Sequence, residues 1–424
     1  MKTTRHHSLV FVCLLTMLFM SFSVEGAKIK ITHAHDVSHQ QEWTAWLQEA
    51  KIKFEAQYPD IEIELLRQSR AEQLEKLVLL YGTEECPDVI EVFPTGHYSL
   101  AEAGMFADLN DFVASDPDVL WEDFFPVSVE AATVVTGKHT GERWMLPVSL
   151  WVIGAAFNDT HFDESGVLPP SRYNYTWTWD DFAEVSKKLL KLDSSGTVTR
   201  YGGSFNHWDV WVHNAGGFIY DRYVMPSQIT VDSEPVRTTL GFLQDLYTNQ
   251  GIITQQGWPE NFAREQVSIF LQAGPTVRSI LQRIGVNWEW SYGTNPKLVR
   301  AGSENLAIGM AISSTSLESE AAWLWVKFLA TEAIQENMLV TGRPGAYKPA
   351  IMECPAFLEE PMEYVWIELL SSPDCFNRPV VDGQVANAIH AQINAVLSGQ
   401  QALDVGIAKA QEHASNLLES LVGK

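Results

Sequence analysis

Between residues 28 and 93 one pattern, strand then helix, runs twice and ends on a third strand, and this constrains the fold more than any other feature of the chain. Lys28, Ile29, Lys30, Ile31, Thr32 and His33 alternate polar with apolar, as a half-buried strand does. Trp43, Trp46, Leu47, Ala50 and Phe54 then recur at helical spacing, and the stripe stops at Tyr58-Pro59. Ile61, Ile63 and Leu65 alternate again; Leu74, Leu77, Val78 and Tyr81 form a second helical stripe, closed by Gly82. Pro87-Asp88 opens a third strand over residues 89–93. Parallel strands need crossover connections, so this order implies a parallel sheet with helices on its faces.

The alternation returns after residue 145. Residues 146–157 are a long extended run, and Thr178 is placed to cap a helix, with Asp181 at the third position of a capping box. Phe182, Val185 and Leu189 would be that helix's buried side. Asp232-Ser233-Glu234-Pro235 opens another helix, carrying Val236, Leu240, Leu243, Leu246 and Tyr247. A strand is expected at 305–312, and helices at 317–329, 332–340, 384–398 and 401–422. The sequence contains no internal repeat, low-complexity tract or flexible linker. Its 424 residues exceed what one hydrophobic core organises, so two α/β lobes are expected, joined by short crossovers around a cleft.

The amino terminus reads as a signal peptide: Lys2 and Arg5 precede an apolar run at residues 9–20, and cleavage is expected after Gly26. Phe11 and Val12 before Cys13 do not make a lipobox, so a soluble periplasmic protein is expected. Formal net charge is −24, and −25 once residues 1–26, with Lys2, Arg5 and Glu25, are removed. Such a surface repels nucleic-acid phosphates and anionic lipid. Export exposes thiols to oxidation. Cys354 and Cys375 bracket a short Pro-containing segment and are the disulfide candidates, while Cys86, just before a strand, reads as a packed thiol.

Motifs spread over nearly the whole chain resemble one family. They include Phe54…Tyr58-Pro59…Ile61…Ile63, Gly82-Thr83…Pro87-Asp88-Val89-Ile90 and Ala103-Gly104-Met105-Phe106-Ala107-Asp108-Leu109. Leu146-Pro147…Phe157-Asn158, Thr178-Trp179-Asp180-Asp181-Phe182 and Ala215-Gly216-Gly217-Phe218 follow, then Ala321-Ala322-Trp323…Phe328-Leu329 and Val396-Leu397-Ser398-Gly399-Gln400. In this order they resemble the family-1 extracellular solute-binding proteins, the carbohydrate-importer relatives of maltose-binding protein. The resemblance implies a type II two-lobe periplasmic-binding-protein fold. Lobe one would be residues 27–151 plus 306–345, and lobe two 152–305 plus 346–424, with crossings near Trp151 and Asn305. It implies a monomer without cofactor that closes on a sugar and delivers it to ABC permease subunits. One departure stands out: Glu265 and Ile269 occupy positions where the family has Gly and Met, which bears on the loop at residues 272–276.

Ligands of open α/β sheets sit beyond the carboxyl ends of the strands. The candidates there are His35 and Asp36 after the first strand, and Phe93, Thr95 and His97 after the third. Trp151 stands at the crossover, Asn206, Trp208 and Trp211 precede Gly216-Gly217, and Arg343 and Tyr347 lie on a loop returning to the cleft. Trp151 and Arg343 also match the family's contact regions. A sugar needs flat aromatic faces for its C–H surface and polar side chains for its hydroxyls. Trp43, Trp46, Trp323 and Trp325 lie on or beside apolar helical stripes and read as core.

Other classes fit less well. His33 and His35 mimic the His-x-His metal pair of amidohydrolases, but no second motif supplies further ligands. Asp36 and Glu91 as glycosidase carboxylates lack any supporting signature. A polyamine, an iron chelate or a phosphorylated metabolite would suit the same fold.

Overall fold

The computed structural model describes residues 27–422 apart from 39–40, 171–176 and 360–362, so the expected signal peptide and Cys13 lie outside the described residues. Among the described residues twelve strands form two sheets. They are β1 Ile29–Asp36, β2 Ile61–Gln68, β3 Val89–Val92, β4 Leu146–Val152, β5 Gly154–Asn158 and β6 Lys191–Leu192. The remainder are β7 Val198–Ser204, β8 Ile253–Thr254, β9 Val267–Ala273, β10 Trp290–Gly293, β11 Ser303–Ile312 and β12 Cys375–Asn377. The first sheet runs β2-β1-β3-β11-β12, with β4 against β11; the second runs β10-β5-β9-β7-β6, with β8 against β7.

The two-lobe α/β architecture expected from the strand–helix rhythm is the one observed. β1 pairs in parallel with β2 and β3, joined by the helices Gln41–Gln57 and Arg70–Leu80. Trp43, Trp46, Leu47, Ala50 and Phe54 are the buried stripe of the first of these helices. Thr178 caps the helix Trp179–Leu189 in a full capping box with Asp181. Such a cap satisfies amide donors that the first helical turn leaves open. The later helices run Ser319–Thr331, Ile334–Thr341, Gly383–Leu397 and Leu403–Val422.

The extended run at 146–157 is two strands. Leu146–Val152 belongs to the first sheet and Gly154–Asn158 to the second, so the chain crosses at Ile153. It returns between β10 and β11 and crosses a third time after β12. These passages lie side by side: Ile153 N–H donates to Glu304 O at 3.1 Å, and Arg378 N–H to Asn305 O at 2.9 Å. Asn305 Nδ2 donates to Asn377 Oδ1 at 3.0 Å.

Within residues 346–377, β12 pairs with β11 of the first sheet, while Trp366 packs on Tyr292 of β10 in the second at 4.6 Å, so this stretch touches both sheets. The last two helices, with Val385, Ile389, Ile393 and Ile407, join the core of the second sheet. The expected Cys354–Cys375 bridge is corrected: Cys86, Cys354 and Cys375 are all free thiols. The stretch between the last two is no simple loop, because it carries the helices Pro355–Glu359 and Tyr364–Ser371. Cys354 packs into the core, and Cys375 starts β12 opposite Ser303, where burial pushes its thiol up to about 12. Among the described residues no helix is long and apolar enough to cross a membrane.

Candidate ligand-binding cleft

A cavity of about 510 Å³ opens between the two sheets, beside the crossings. Ser38, Trp151, Leu306 and Arg343 face it from the first sheet and its crossovers. Asn206, His207, Trp258, Gln272 and Thr276 face it from the second.

Each of these side chains has a local cause. Trp151 is the last residue but one of β4, so the strand carries it to the crossing. Arg343 is held beside it because residues 344–346 run along the same strand: Leu150 N–H donates to Pro344 O, and Ala346 N–H to Val148 O, both at 3.0 Å. The Arg343 guanidinium lies 5.1 Å from the Trp151 ring centroid and 6.0 Å from that of Trp43, a cation–π arrangement. It is only 6% exposed, and burial lowers its pKa to about 10, against the nearby Glu91 carboxylate. Its Nε has no hydrogen-bond partner among the described residues. From the opposite sheet Gly274 meets Trp151 closely, since a Cβ there would sit 2.4 Å from Cζ2 of the indole.

Two residues at β9 stand in the left-handed region that favours glycine: Glu265, on the turn before the strand, at φ 60°, and Gln272, within it, at φ 57°. Glu265, where the resemblance implies a Gly, has a φ that glycine favours, and its carboxylate lies 3.1 Å from His161 Nε2. Gln272 turns its amide toward the cleft wall, where Oε1 accepts the Asn206 N–H at 2.9 Å. Asn206 is fixed further by a reciprocal pair of bonds with Gly257, which precedes Trp258. Gly257 is required there, because a Cβ would lie 2.4 Å from Ser204 Oγ.

The structure thus brings together three of the expected contact residues: Trp151, Asn206 and Arg343. Others go elsewhere. Trp208 and Trp211, read as loop residues, lie on the helix Trp208–Asn214 and are 2% and 1% exposed. Trp208 Nε1 donates to His390 Nδ1 at 3.1 Å, and Trp211 packs edge-on against Trp179 at 5.1 Å. Their spacing of three is a helical stripe, which buries them in the second core. Tyr347 packs against Phe124, and its hydroxyl donates to Asp118 O at 3.3 Å. Thr95 is exposed on the first turn of the helix Pro94–Glu102.

His35, Asp36, Phe93 and His97 are buried in the first lobe at the ends of β1 and β3. The Asp36 carboxylate accepts from Ser38 N at 2.8 Å and from Ser38 Oγ, and pairs with Arg70 at 3.1 Å. The Arg70 guanidinium in turn covers the Phe93 ring at 4.0 Å. His97 Nδ1 accepts the Phe93 N–H at 3.2 Å, and burial lowers its pKa to about 4. His33 accepts from Trp325 Nε1 at 3.1 Å, and burial, with His35 nearby, lowers its pKa to about 3. Among the described residues no three His, Cys, Asp or Glu side chains are grouped to hold a metal ion. This donor set does not suit the amidohydrolase alternative.

Trp258 was missed in the sequence. It is 61% exposed on a cleft wall, where burial would favour so large an apolar surface. A Trp between a Gly and a Pro, just before a short helix, is the available signal.

The profile of the family described as bacterial extracellular solute-binding protein matches residues 37–336, well over half of the chain. The chain belongs to that family. Among solved structures, the fold is similar to the cyclic α-maltosyl-1,6-maltose binding protein from Arthrobacter globiformis. That likeness has a TM-score of 0.77 and 19% identity, and covers 93% of this chain and 100% of the other. It is similar also to an ABC substrate-binding protein from Listeria monocytogenes in complex with cycloalternan (TM-score 0.74, 19% identity, 93% and 99% covered). A third is maltose-bound MalE3 of T. maritima, with TM-score 0.71 and 17% identity over 92% and 100% of the two chains. For this solute-binding protein the described cleft lies where two sheets and the crossings between them meet.

Proposed function

We propose that this solute-binding protein captures a sugar or oligosaccharide in the Trp151–Trp258 cleft and delivers it to the permease of an ABC importer. One observation carries the reading: two tryptophans, from opposite sheets, line a single cavity together with Asn206, Gln272 and Arg343. Indole faces suit the C–H surface of a pyranose, and the amides and guanidinium suit its hydroxyls. The saccharides named with the three similar structures support the same ligand class. Residues 1–26 act as the export signal, and the exported protein works as a monomer in the periplasm. It binds without catalysis, and Asp36 and Glu91 serve structure rather than hydrolysis: Asp36 holds Ser38 and Arg70, and Glu91 accepts from Trp43 Nε1 at 2.9 Å.

The test is a thermal-shift screen against mono-, di- and oligosaccharides, polyols and polyamines. A specific sugar at a thousand times its dissociation constant should stabilise the protein by about 4 kcal/mol. Stabilisation by polyamines alone would replace the sugar reading.

A further inference from the structure

Among the described residues, the charged side chains lining the cleft are Arg343, Arg378 and the exposed Glu260. Each guanidinium has a buried carboxylate behind it. For Arg378 this is Glu304 of β11, 2% exposed, whose Oε1 accepts from Nε at 2.7 Å; Asp209, on the helix Trp208–Asn214, adds its field. For Arg343 it is Glu91 of β3, 0% exposed. Neither Glu91 nor Glu304 lines the cleft.

The two pairs are built differently. Glu304 touches Arg378 and takes up its Nε–H, and the charge of that carboxylate raises the Arg378 pKa. Glu91 acts on Arg343 without an ion-pair contact among the described residues. Its Oε2 accepts from Trp43 Nε1 at 2.9 Å and from Asp36 N–H at 3.3 Å, and the Trp43 ring centroid lies 6.0 Å from the Arg343 guanidinium. The indole therefore holds the carboxylate back from the cation. Charge is balanced through space, and the Arg343 Nε–H stays free to donate. A buried guanidinium with no opposite charge nearby would be costly, while a carboxylate in contact would consume the donors that a ligand needs.

A cleft whose cations are cancelled from behind offers N–H donors without net positive charge. Hydroxyls can use such donors in full. A phosphate or carboxylate loses much of the Coulomb gain that would offset its desolvation, because the buried carboxylate repels it as the guanidinium attracts it. We propose that Glu91 and Glu304 are specificity-determining residues: by neutralising Arg343 and Arg378 from outside the reach of the ligand, they make the cleft select uncharged solutes and reject anionic ones. The selectivity for neutral sugars rests on the sugar reading above, while the charge balance itself does not. Of the other solutes that suit this fold, a phosphorylated metabolite is the one it excludes.

The experiment has two arms, and the first needs no sugar. Sulfate is titrated against chloride at matched ionic strength, and the melting temperature is followed for the parent, Glu91→Gln, Arg343→Gln and the double variant. Sulfate should raise the melting temperature of Glu91→Gln beyond its effect on the parent, and the double variant should lose that excess. An equal sulfate response in parent and Glu91→Gln, or an excess that survives in the double variant, would overturn the proposal whatever the ligand is. Should Glu91→Gln melt without cooperativity, Glu304→Gln carries the same comparison, with Arg378→Gln in the double variant. The second arm is calorimetry with neutral gluco- and manno-trisaccharides, each beside its monophosphate. In Glu91→Gln the ratio of neutral to phosphorylated affinity should fall by about tenfold or more, the scale of one unbalanced charge at a partly buried site. A role in folding alone would weaken both ligands and leave the ratio where it was, which would overturn the selectivity. Should no saccharide bind while sulfate behaves as expected, the sugar reading falls and the charge balance stands.

Discussion

Trp211 and Trp258 are the same residue type in the same lobe, and their surroundings could hardly differ more. Trp211 is 1% exposed, enclosed by Trp179, Phe182 and Phe242, whereas Trp258 is 61% exposed on the cleft wall. Tryptophan content alone therefore says nothing about ligand contact; what separates the two is their place on the helix. Trp208, Trp211 and Val212 share one helical face, while Trp258 is the N-cap of the short helix Pro259–Ala263, whose Phe262 is buried and leaves the indole outside the core. The largest effect expected from this contrast is on stability. Trp211→Ala should cost about 3–5 kcal/mol through an unfilled core cavity, read by urea denaturation. Sugar affinity of the molecules that remain folded should not change. If affinity falls while stability holds, the two tryptophans have been assigned to the wrong roles.

The mirror experiment is Trp258→Ala. Its side chain is mostly in water in the unliganded protein, so stability should move by less than about 0.5 kcal/mol, as for other surface substitutions. Affinity should fall by about 2 kcal/mol, roughly thirtyfold, if the indole is a stacking anchor. Trp151→Ala should weaken binding similarly but also destabilise, because its ring is packed between Arg343 and Gly274. Calorimetry and denaturation on both variants separate the two contributions.

The same reasoning marks what the sequence made legible. The elements of residues 28–93 could be placed because their periods of 2 and 3.6 are clean and end on Gly or Pro. The helix after Thr178 was equally plain from its capping box. The helix Trp208–Asn214 was hidden by its length of seven residues and by the adjacent Gly216-Gly217, which made the whole stretch look like loop. The strand β12 is not legible because it has three residues, and strand pairing is a long-range choice that local pattern does not encode. In the cleft, Trp151 and Arg343 were found through resemblance and Asn206 through its place after β7. Gln272 was not found, since its role depends on a left-handed φ inside a buried strand.

A titratable ring on that hidden helix sharpens the contrast further. His213 shares the helix with Trp208 and Trp211, is 4% exposed and stacks on Phe376 at 4.0 Å. Burial, with Arg300 nearby, lowers its pKa to about 3. The folded state therefore holds this imidazole neutral where the unfolded chain, titrating at about 6.5, takes up a proton. Its contribution is complete above about pH 6.5 and is lost as pH falls toward 3, by roughly 1.4 kcal/mol per pH unit in the middle of that window. His33 and His97 act in the same direction in the first lobe. Melting temperature should thus decline between pH 6.5 and 4.5, and His213→Gln should flatten the decline. An unchanged slope would mean that the face of the helix carrying His213, beside Phe376 and Tyr223, is open to water.

The smallest effects concern backbone rather than rings, and they repeat the contrast between cleft and core. Gln272 and Glu265 share nearly the same left-handed φ, a conformation costing an L-residue about 1–2 kcal/mol. Glycine at either position relieves that cost, so the side chains decide what is lost. Glu265 is 51% exposed in its side chain, and its contact with His161 is worth little in water. Glu265→Gly should therefore be neutral or stabilising by up to about 1 kcal/mol, with no change in sugar affinity. In Gln272→Gly the gain in backbone freedom is set against loss of the acceptor for Asn206 N–H, so stability should stay within about 1 kcal/mol of the parent. Its affinity should nonetheless fall severalfold, because Asn206 loses the contact that orients it toward the cleft. Equal affinities for the two glycine variants would show that the Gln272 strain has no part in binding, and would remove the backbone from the comparison between cleft and core.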